Sequence, residues 1–208
     1  MLFSTAHAIA AELVAGFAPN CERVEIAGSL RRKRPEIKDI EIIAIPKFVE
    51  DPAHAPLVLF ASDALPAPRN ALYDAIRKHA DIRWIKPGTP DIVDWPIQPN
   101  GKYWRGFVQP AGIKLDLFLT TPDAWGAVFL IRTGSAQFSQ AVATYAIRRG
   151  MGLRATGVVD AAGQLIPTPE ERDVFAALAI PWIDPSDRHD GRGLPRAAEM
   201  YDITPPGG

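Results

Sequence analysis

The chain is poor in the residues that staple small folds and bind soft metals. It has one cysteine, Cys21, in 208 residues, which excludes an internal disulfide framework and any multi-cysteine zinc site. A lone thiol just ahead of a strand reads as a small packing residue. Four histidines are scattered without the pairing a histidine metal site needs. No apolar run approaches the roughly 20 residues that span a bilayer, so no membrane partner is expected. The first residues lack the charged-then-apolar plan of a secretory signal, and the expectation is a cytoplasmic protein. Net charge is also small, −1 at pH 7, which argues against a surface coated in cations for nucleic acid.

What is present is enough apolar material for a core. At 22.7 kDa and 47% hydrophobic residues, the chain suits one domain or a domain with a small appendage. Periodicity gives its order. Ile9, Leu13 and Phe17 stand four apart with Ala6 and Ala10 between them, a helical stripe ended by Pro19. RVEIAG reads as a short strand, Gly28-Ser29 as a turn into one helical turn, and Asp39 to Ile45 as a strand. Residues 51 to 69 hold prolines at 52, 56, 66 and 68 and read as a loop or insertion. A helix is expected over 70–80, strands at IRWIK and YWRGFVQ around a turn-rich 87–101, and another strand at IKLDLFL, residues 113–119.

The second half changes character. Pro122 opens a helix through about Ile131, and a second helix follows Gly134-Ser135 with Phe138, Val142 and Tyr145 on one face. Gly150 and Gly152 are expected to stop it. ATGVVDAAGQLI reads as a hairpin and PEERDVFAALAI as a short helix with an acidic first turn. The Gly-, Pro- and Arg-rich stretch after 186 carries no periodic signal. No internal repeat is found.

Charge is concentrated in one place. GSLRRKRPEIKDIEIIAIP, residues 28–46, sets four cations in a row and then two carboxylates one residue apart on an apolar strand. Alternation puts Asp39 and Glu41 on one face and Ile40 and Ile42 on the other. Two adjacent carboxylates repel unless a cation lies between them. In IKLDLFL, Asp116 opposes a face of Ile113, Leu115, Leu117 and Leu119, and an acid in the middle of an apolar strand is costly without a partner. Three carboxylates on neighbouring strands would form an oxygen-only site suited to Mg²⁺ and able to hold two ions. Gly28 lets a backbone approach a phosphate, Ser29 can cap the following turn and donate to an oxyanion, and Arg32 can supply a bidentate contact. Each piece has a plainer reading: a common turn, a solvated cationic face, a strand entering from solvent, an edge-strand acid.

In combination the pieces resemble the nucleotidyltransferase superfamily, and within it the DNA polymerase X family, the polymerase beta relatives. G-S-x-R-R is followed by D-x-[DE], with Asp39 ten residues after Ser29, and by a later aspartate inside an apolar strand. IRTGSAQFSQAVATYAIRRGMGL resembles the family's Y-F-T-G-S segment with its helix. PTPEERDVFAALAIPWIDPSDR resembles its C-terminal T-E-E…F-x-x-L-G-x-P-(Y/W)-I-x-P-x-x-R. The likeness runs over roughly residues 20–190 and implies a minimal palm-plus-thumb form without the helix-hairpin-helix and lyase region of larger members.

The resemblance implies an α+β fold: a nucleotidyltransferase-type palm over 1–133, a mixed sheet flanked by helices, then a small α/β thumb over 134–190 and a flexible tail over 191–208. It implies a monomeric DNA-directed DNA polymerase acting on gapped or primer-template DNA and dNTPs with two Mg²⁺ ions, or Mn²⁺. Asp39, Glu41 and Asp116 resemble the catalytic and metal-binding triad. Gly28, Ser29 and Arg32 match the triphosphate-binding residues, and Thr133, Gly134 and Ser135 the nucleotide-facing turn; Lys102 and Lys114 are expected to meet DNA phosphates. Four positions depart from the family pattern: Glu41 for an aspartate, Lys38 for a glycine, Ile131-Arg132 for an aromatic pair, and Ser139 for an asparagine. The altered sugar-facing positions leave open transfer to another acceptor, an RNA end, a protein or a small molecule, and a non-catalytic nucleic-acid-binding module.

Overall fold

The computed structural model describes residues 1–50, 68–77, 79–93 and 101–195. Along the chain these are α1 (Phe3–Phe17), β1 (Cys21–Ile26), α2 (Gly28–Arg31), β2 (Asp39–Pro46), β3 (Phe48–Val49), β4 (Arg69–Asn70), α3 (Ala71–Ile76), β5 (Ile82–Ile85), β6 (Ile92–Val93), β7 (Tyr103–Val108) and β8 (Ile113–Leu119). There follow α4 (Trp125–Thr133), α5 (Ala136–Arg148), β9 (Gly152–Arg154), β10 (Gly157–Val159), β11 (Leu165–Ile166) and α6 (Glu171–Ala177). The fold is α+β. Among the described residues no helix is long and apolar enough to cross a membrane.

Two compact units share the chain, residues 1–26 with 35–120, and residues 27–34 with 121 onward. The first is built on a six-stranded sheet of order β1-β2-β8-β7-β5-β6. It is mixed, because β2 and β8 run parallel while their neighbours are antiparallel. α1 buries Ala6, Ala10, Leu13 and Phe17, the expected stripe with Ile9 at its margin, and touches β1, β2 and α3. β2 is half-buried at Asp39 and Glu41 and buried from Ile42 onward, so a strand between two neighbours starts open and ends enclosed. α3 is shorter than the 70–80 helix the sequence suggests; Asn70 Oδ1 accepts the Tyr73 N–H at 3.1 Å and caps it. Of the proline-rich stretch, 51–67 lies outside the described residues, and its end pairs β4 with β3. The turn-rich 87–101 contributes β6, with 94–100 outside the described residues.

The second unit packs α4, α5 and α6 against a three-stranded antiparallel sheet of order β11-β10-β9. Its core includes Ala127, Leu130, Phe138, Val142, Val158, Val174 and Phe175. α4 therefore belongs here, and the division falls at Thr120/Thr121 where the sequence suggests 133/134. Gly126 explains the tightness, since its N–H donates to the Thr168 carbonyl at 2.7 Å and a Cβ there would stand 2.1 Å from the Glu170 oxygen. The expected hairpin gains a third strand. Gly152, read as a helix stop, lies in β9 opposite Val159, whose Cγ2 would be 2.8 Å from any Cβ at that position.

The stretch after 186 is also more ordered than its composition suggests. A 3₁₀ turn over Pro185–Asp187 leads into Arg188, which is 0% exposed, and the Leu194 N–H closes a turn onto the Gly191 carbonyl; residues 196–208 lie outside the described residues. Arg188 Nη1 donates to Glu171 Oε1 and Nε to the Ile183 carbonyl at 3.0 Å, while the guanidinium lies 5.1–5.4 Å from the Phe138, Phe175 and Trp182 ring centres. Glu171 in turn accepts two bonds from Arg31, at 3.0 and 2.7 Å. Burial pulls the Arg188 pKa below the ordinary arginine value, against the opposing pull of Glu171. A buried carboxylate shared by two guanidiniums is costly to open. Glu171→Gln, which leaves both cations, is expected to lose about 3–5 kcal/mol in denaturant unfolding. Arg31→Met, which leaves the Glu171–Arg188 pair intact, should lose less than half of that; equal losses would mean that the triad is not the unit of stability.

Candidate active site

The acid face of the first unit follows from register. Glu41 pairs with Asp116 and Asp39 with Lys114 across the parallel β2–β8 ladder, and Arg105 pairs with Asp116 across β7–β8. Directly opposed residues share a face, so three carboxylates and two cations project together. Lys114 Nζ lies 2.8 Å from Asp39 Oδ2 and 3.3 Å from Asp116 Oδ2. It is the cation between carboxylates that the sequence demands, although the resemblance places Lys114 at DNA phosphates. Asp116, 5% exposed, also receives the Tyr103 hydroxyl at 2.7 Å and Arg105 Nε at 2.8 Å on Oδ1.

These contacts set the charges. Burial alone would raise the Asp116 pKa, but the hydrogen bonds from Arg105 and Tyr103 and the Lys114 charge outweigh it and hold the carboxyl below the usual aspartate range. The Tyr103 hydroxyl is pushed up, by burial first and then by donation to Asp116. The hydrogen bond to Asp39 raises the Lys114 ammonium, and the bond to Asp116 raises Arg105. Asp116 is thus ionised at neutral pH. Among the described residues no group of three or more histidine, cysteine, aspartate or glutamate side chains stands at metal-holding spacing, and Lys114 and Arg105 are paired with the carboxylate oxygens. The donor set itself, three carboxylates on one face of adjacent strands, is the oxygen-only chemistry a hard divalent ion takes.

The Gly-Ser turn lies in the second unit. Gly28 has φ 63°, the left-handed region, and opens the four-residue α2 after Ala27 in extended conformation. Ser29 sits inside α2 and does not cap it; its Oγ is buried without a hydrogen-bond partner among the described residues. An orphaned hydroxyl of this kind suits a ligand oxygen. Arg31 Nη1 donates to Thr133 Oγ1 at 2.7 Å, and its guanidinium lies 3.7 Å from the Phe129 ring centre. Arg32 Nη1 donates to the Thr133 carbonyl. A Cβ on Gly134 (φ 63°) would stand 3.1 Å from Arg32 Nη1, so glycine lets the arginine reach the turn. Ser135 caps α5, its Oγ accepting the Phe138 N–H at 3.2 Å and donating to the His189 carbonyl. Gly28, Ser29, Arg32, Thr133, Gly134 and Ser135 are therefore gathered in one unit, and Asp39, Glu41, Asp116 and Lys114 in the other. Lys102 is exposed just before β7.

Residues 128–189 match the family model for the DNA polymerase beta thumb. The chain is also 33% identical over 86 residues to DNA polymerase lambda of Rattus norvegicus, a stretch covering 36% of this chain and 15% of that protein. The resemblance to the polymerase X family holds. The thumb match takes in most of α4, all of α5, the three-stranded sheet, α6 and Arg188. Within it, and in the strands beside Asp116, four residues that the sequence alone does not mark hold these elements in place: Glu171, Arg188, Tyr103 and Arg105. Glu171 read only as an acid at a helix start. Tyr103 and Arg105 carried a signal in their two-residue spacing on a strand, but their pairing with Asp116 needs the β7–β8 register.

The depressed Asp116 pKa fixes a pH dependence. A carboxyl whose folded pKa lies below its unfolded one adds stability that is present above the unfolded pKa and lost as pH falls through the folded one. Asp116→Asn should therefore flatten the acid limb of the stability profile and lower stability at pH 7 by about 1–3 kcal/mol, as Arg105 and Lys114 lose the carboxylate charge and one of its two acceptor oxygens. An unchanged acid limb in thermal melts from pH 7 to pH 3 would contradict the network.

Proposed function

We propose that this chain is a template-directed DNA polymerase of the polymerase X type that adds a nucleotide from a dNTP to a primer 3′-hydroxyl, filling short gaps in repair. The observation that carries the reading is the β2–β8 register, which sets Glu41 opposite Asp116 on the face that Asp39 shares. Supporting it are the thumb match and the partial likeness to a DNA polymerase.

In this reading Asp39, Glu41 and Asp116 would hold two Mg²⁺ ions. When bound, those ions activate the attacking oxygen and stabilise the leaving one. Asp116 stays ionised at neutral pH, as a ligand must, and offers its oxygens to the proton of the 3′-hydroxyl. Lys114 is the internal counter-ion of Asp39 and Asp116, and its ammonium, freed from them, would reach a DNA phosphate. Gly28 and Ser29 receive triphosphate oxygens, the Ser29 hydroxyl giving up its unpaired state, and Arg32 adds charge. Thr133-Gly134-Ser135 meets the nucleotide, and Lys102 a DNA phosphate. Glu41 carries one more methylene than the family aspartate, which a permissive ion tolerates better than Mg²⁺ with its near-ideal octahedron.

Primer extension on one-nucleotide-gapped DNA, run beside labelled-nucleotide transfer to RNA and to protein, tests the reading. Extension of the gapped substrate is expected, with Mn²⁺ at least as effective as Mg²⁺. Asp39→Ala and Asp116→Ala should each lower it by at least about 10³-fold, roughly 4 kcal/mol of transition-state stabilisation, and Glu41→Asp should stay active. Full activity of folded Asp116→Ala would overturn the mechanism. Transfer to RNA or protein without extension would reassign the acceptor.

A further inference from the structure

A cavity of about 580 Å³ lies in the first unit. One wall is the loop after β5, Lys86 to Pro90; the other is the entry to β7, Lys102 to Arg105. The loop is held shut by its own bonds. The Lys86 N–H donates to the Asp91 carbonyl at 2.9 Å, the Thr89 N–H to the Lys86 carbonyl at 3.2 Å, and Gly88 turns the chain at φ 79°. Asp91, the nearby acid, is occupied by the Thr89 hydroxyl at 3.0 Å.

The described lining holds three cations, Lys86, Lys102 and Arg105, and no acid. Lys86 and Lys102 are exposed, and their ammonium groups have no hydrogen-bond or ion-pair partner among the described residues. Arg105 is engaged with Asp116. The aromatic wall is fixed. Tyr103 stacks on Phe118 with ring centres 4.9 Å apart, its hydroxyl is held by Asp116, and Trp104 beside it is 3% exposed.

A rigid aromatic wall beside unpaired ammonium groups is the arrangement that accepts one nucleotide of a single strand, base against ring and phosphate against cation. The volume falls in the range of pockets that enclose small ligands, about 300–1,000 Å³. We propose that this cavity binds one unpaired nucleotide, with Lys86 meeting its phosphate and Tyr103 its base. The inference rests on nucleic acid being the partner, as in the polymerase reading, but not on catalysis. Lys86 touches none of the triad acids, so binding and transfer can be read separately.

The test is equilibrium binding of a fluorescein-labelled octathymidylate to the full chain, followed by anisotropy over a range of salt. Lys86→Ala should weaken binding at least threefold and flatten the slope of log affinity against log salt by about 0.7, the loss of one single-strand phosphate contact. Lys86→Arg should restore both, and photocrosslinking of a 5-iodouracil-substituted strand should map to Tyr103 or Trp104. Competition by dTMP would assign the site to free nucleotides, and competition by the strand alone to a strand. Affinity and slope unchanged in a folded Lys86→Ala, or crosslinks confined elsewhere, would overturn the proposal even if that variant extends primers at the normal rate.

Discussion

Glu171 is the carboxylate on which the second unit depends. It is 4% exposed and lies between two guanidiniums, Arg31 from α2 and Arg188 from the segment after α6. A charge so far from water is sustained only by its partners, and each partner fixes an element that could not fix itself. α2 has four residues, far below the length at which a helix holds its own shape in water. Arg31 ties it to α6 through Glu171 and to the end of α4 through Thr133. Arg188 does the same for a stretch without regular structure, adding three ring contacts and a carbonyl that accepts the Ser135 N–H at 3.1 Å. One acid thereby sets the position of the Gly-Ser turn, the start of α5 and the segment around Arg188.

The first unit answers a different electrostatic demand. Its acids are placed by the register of a mixed sheet, and register is rigid because a slip of one residue would send Ile40, Ile42, Leu115 and Leu117 to the wrong face. That rigidity forces carboxylates together, and the sheet supplies the remedy from its own ladder. Lys114 stands two residues before Asp116 on the same face, and Arg105 stands opposite it. The cost is that Asp39 and Asp116 already have cations. Any ion binding there competes with an ammonium on a flexible four-carbon stem, which can move away without disturbing β8.

Much of this was legible in the sequence because it is local. The alternation of Asp39, Ile40, Glu41 and Ile42 states which face is polar, the alanine-leucine stripe states how α1 packs, and the single acid in IKLDLFL states that a partner must exist. The partner's identity was not legible. Lys114 stood two residues away and was readable as a phosphate contact, since nothing local says whether a lysine points its charge at a neighbour or a ligand. Arg31 and Glu171 are 140 residues apart, and no periodicity joins them. Gly152 misled for a similar reason. After a helix a glycine reads as a stop, whereas here it is required by Val159 across a strand pair that only the fold creates.

The turn at 133–135 shows how far the site's hydroxyls are already committed. Thr133 Oγ1 accepts from Arg31, its carbonyl accepts from Arg32, Ser135 Oγ caps α5, and Ser139 Oγ donates to the Ile131 carbonyl at 2.9 Å. Ser139 stands where the family has an asparagine, a longer side chain with two donors; the serine instead spends its one donor on the last turn of α4. A ligand that took any of these groups would exchange one hydrogen bond for another, and the net gain from such an exchange is small, on the order of 1 kcal/mol or less. The unpaired Ser29 hydroxyl faces no such exchange. The threonine and serines thus hold the frame of this turn, while the Ser29 hydroxyl stays outside that set of bonds.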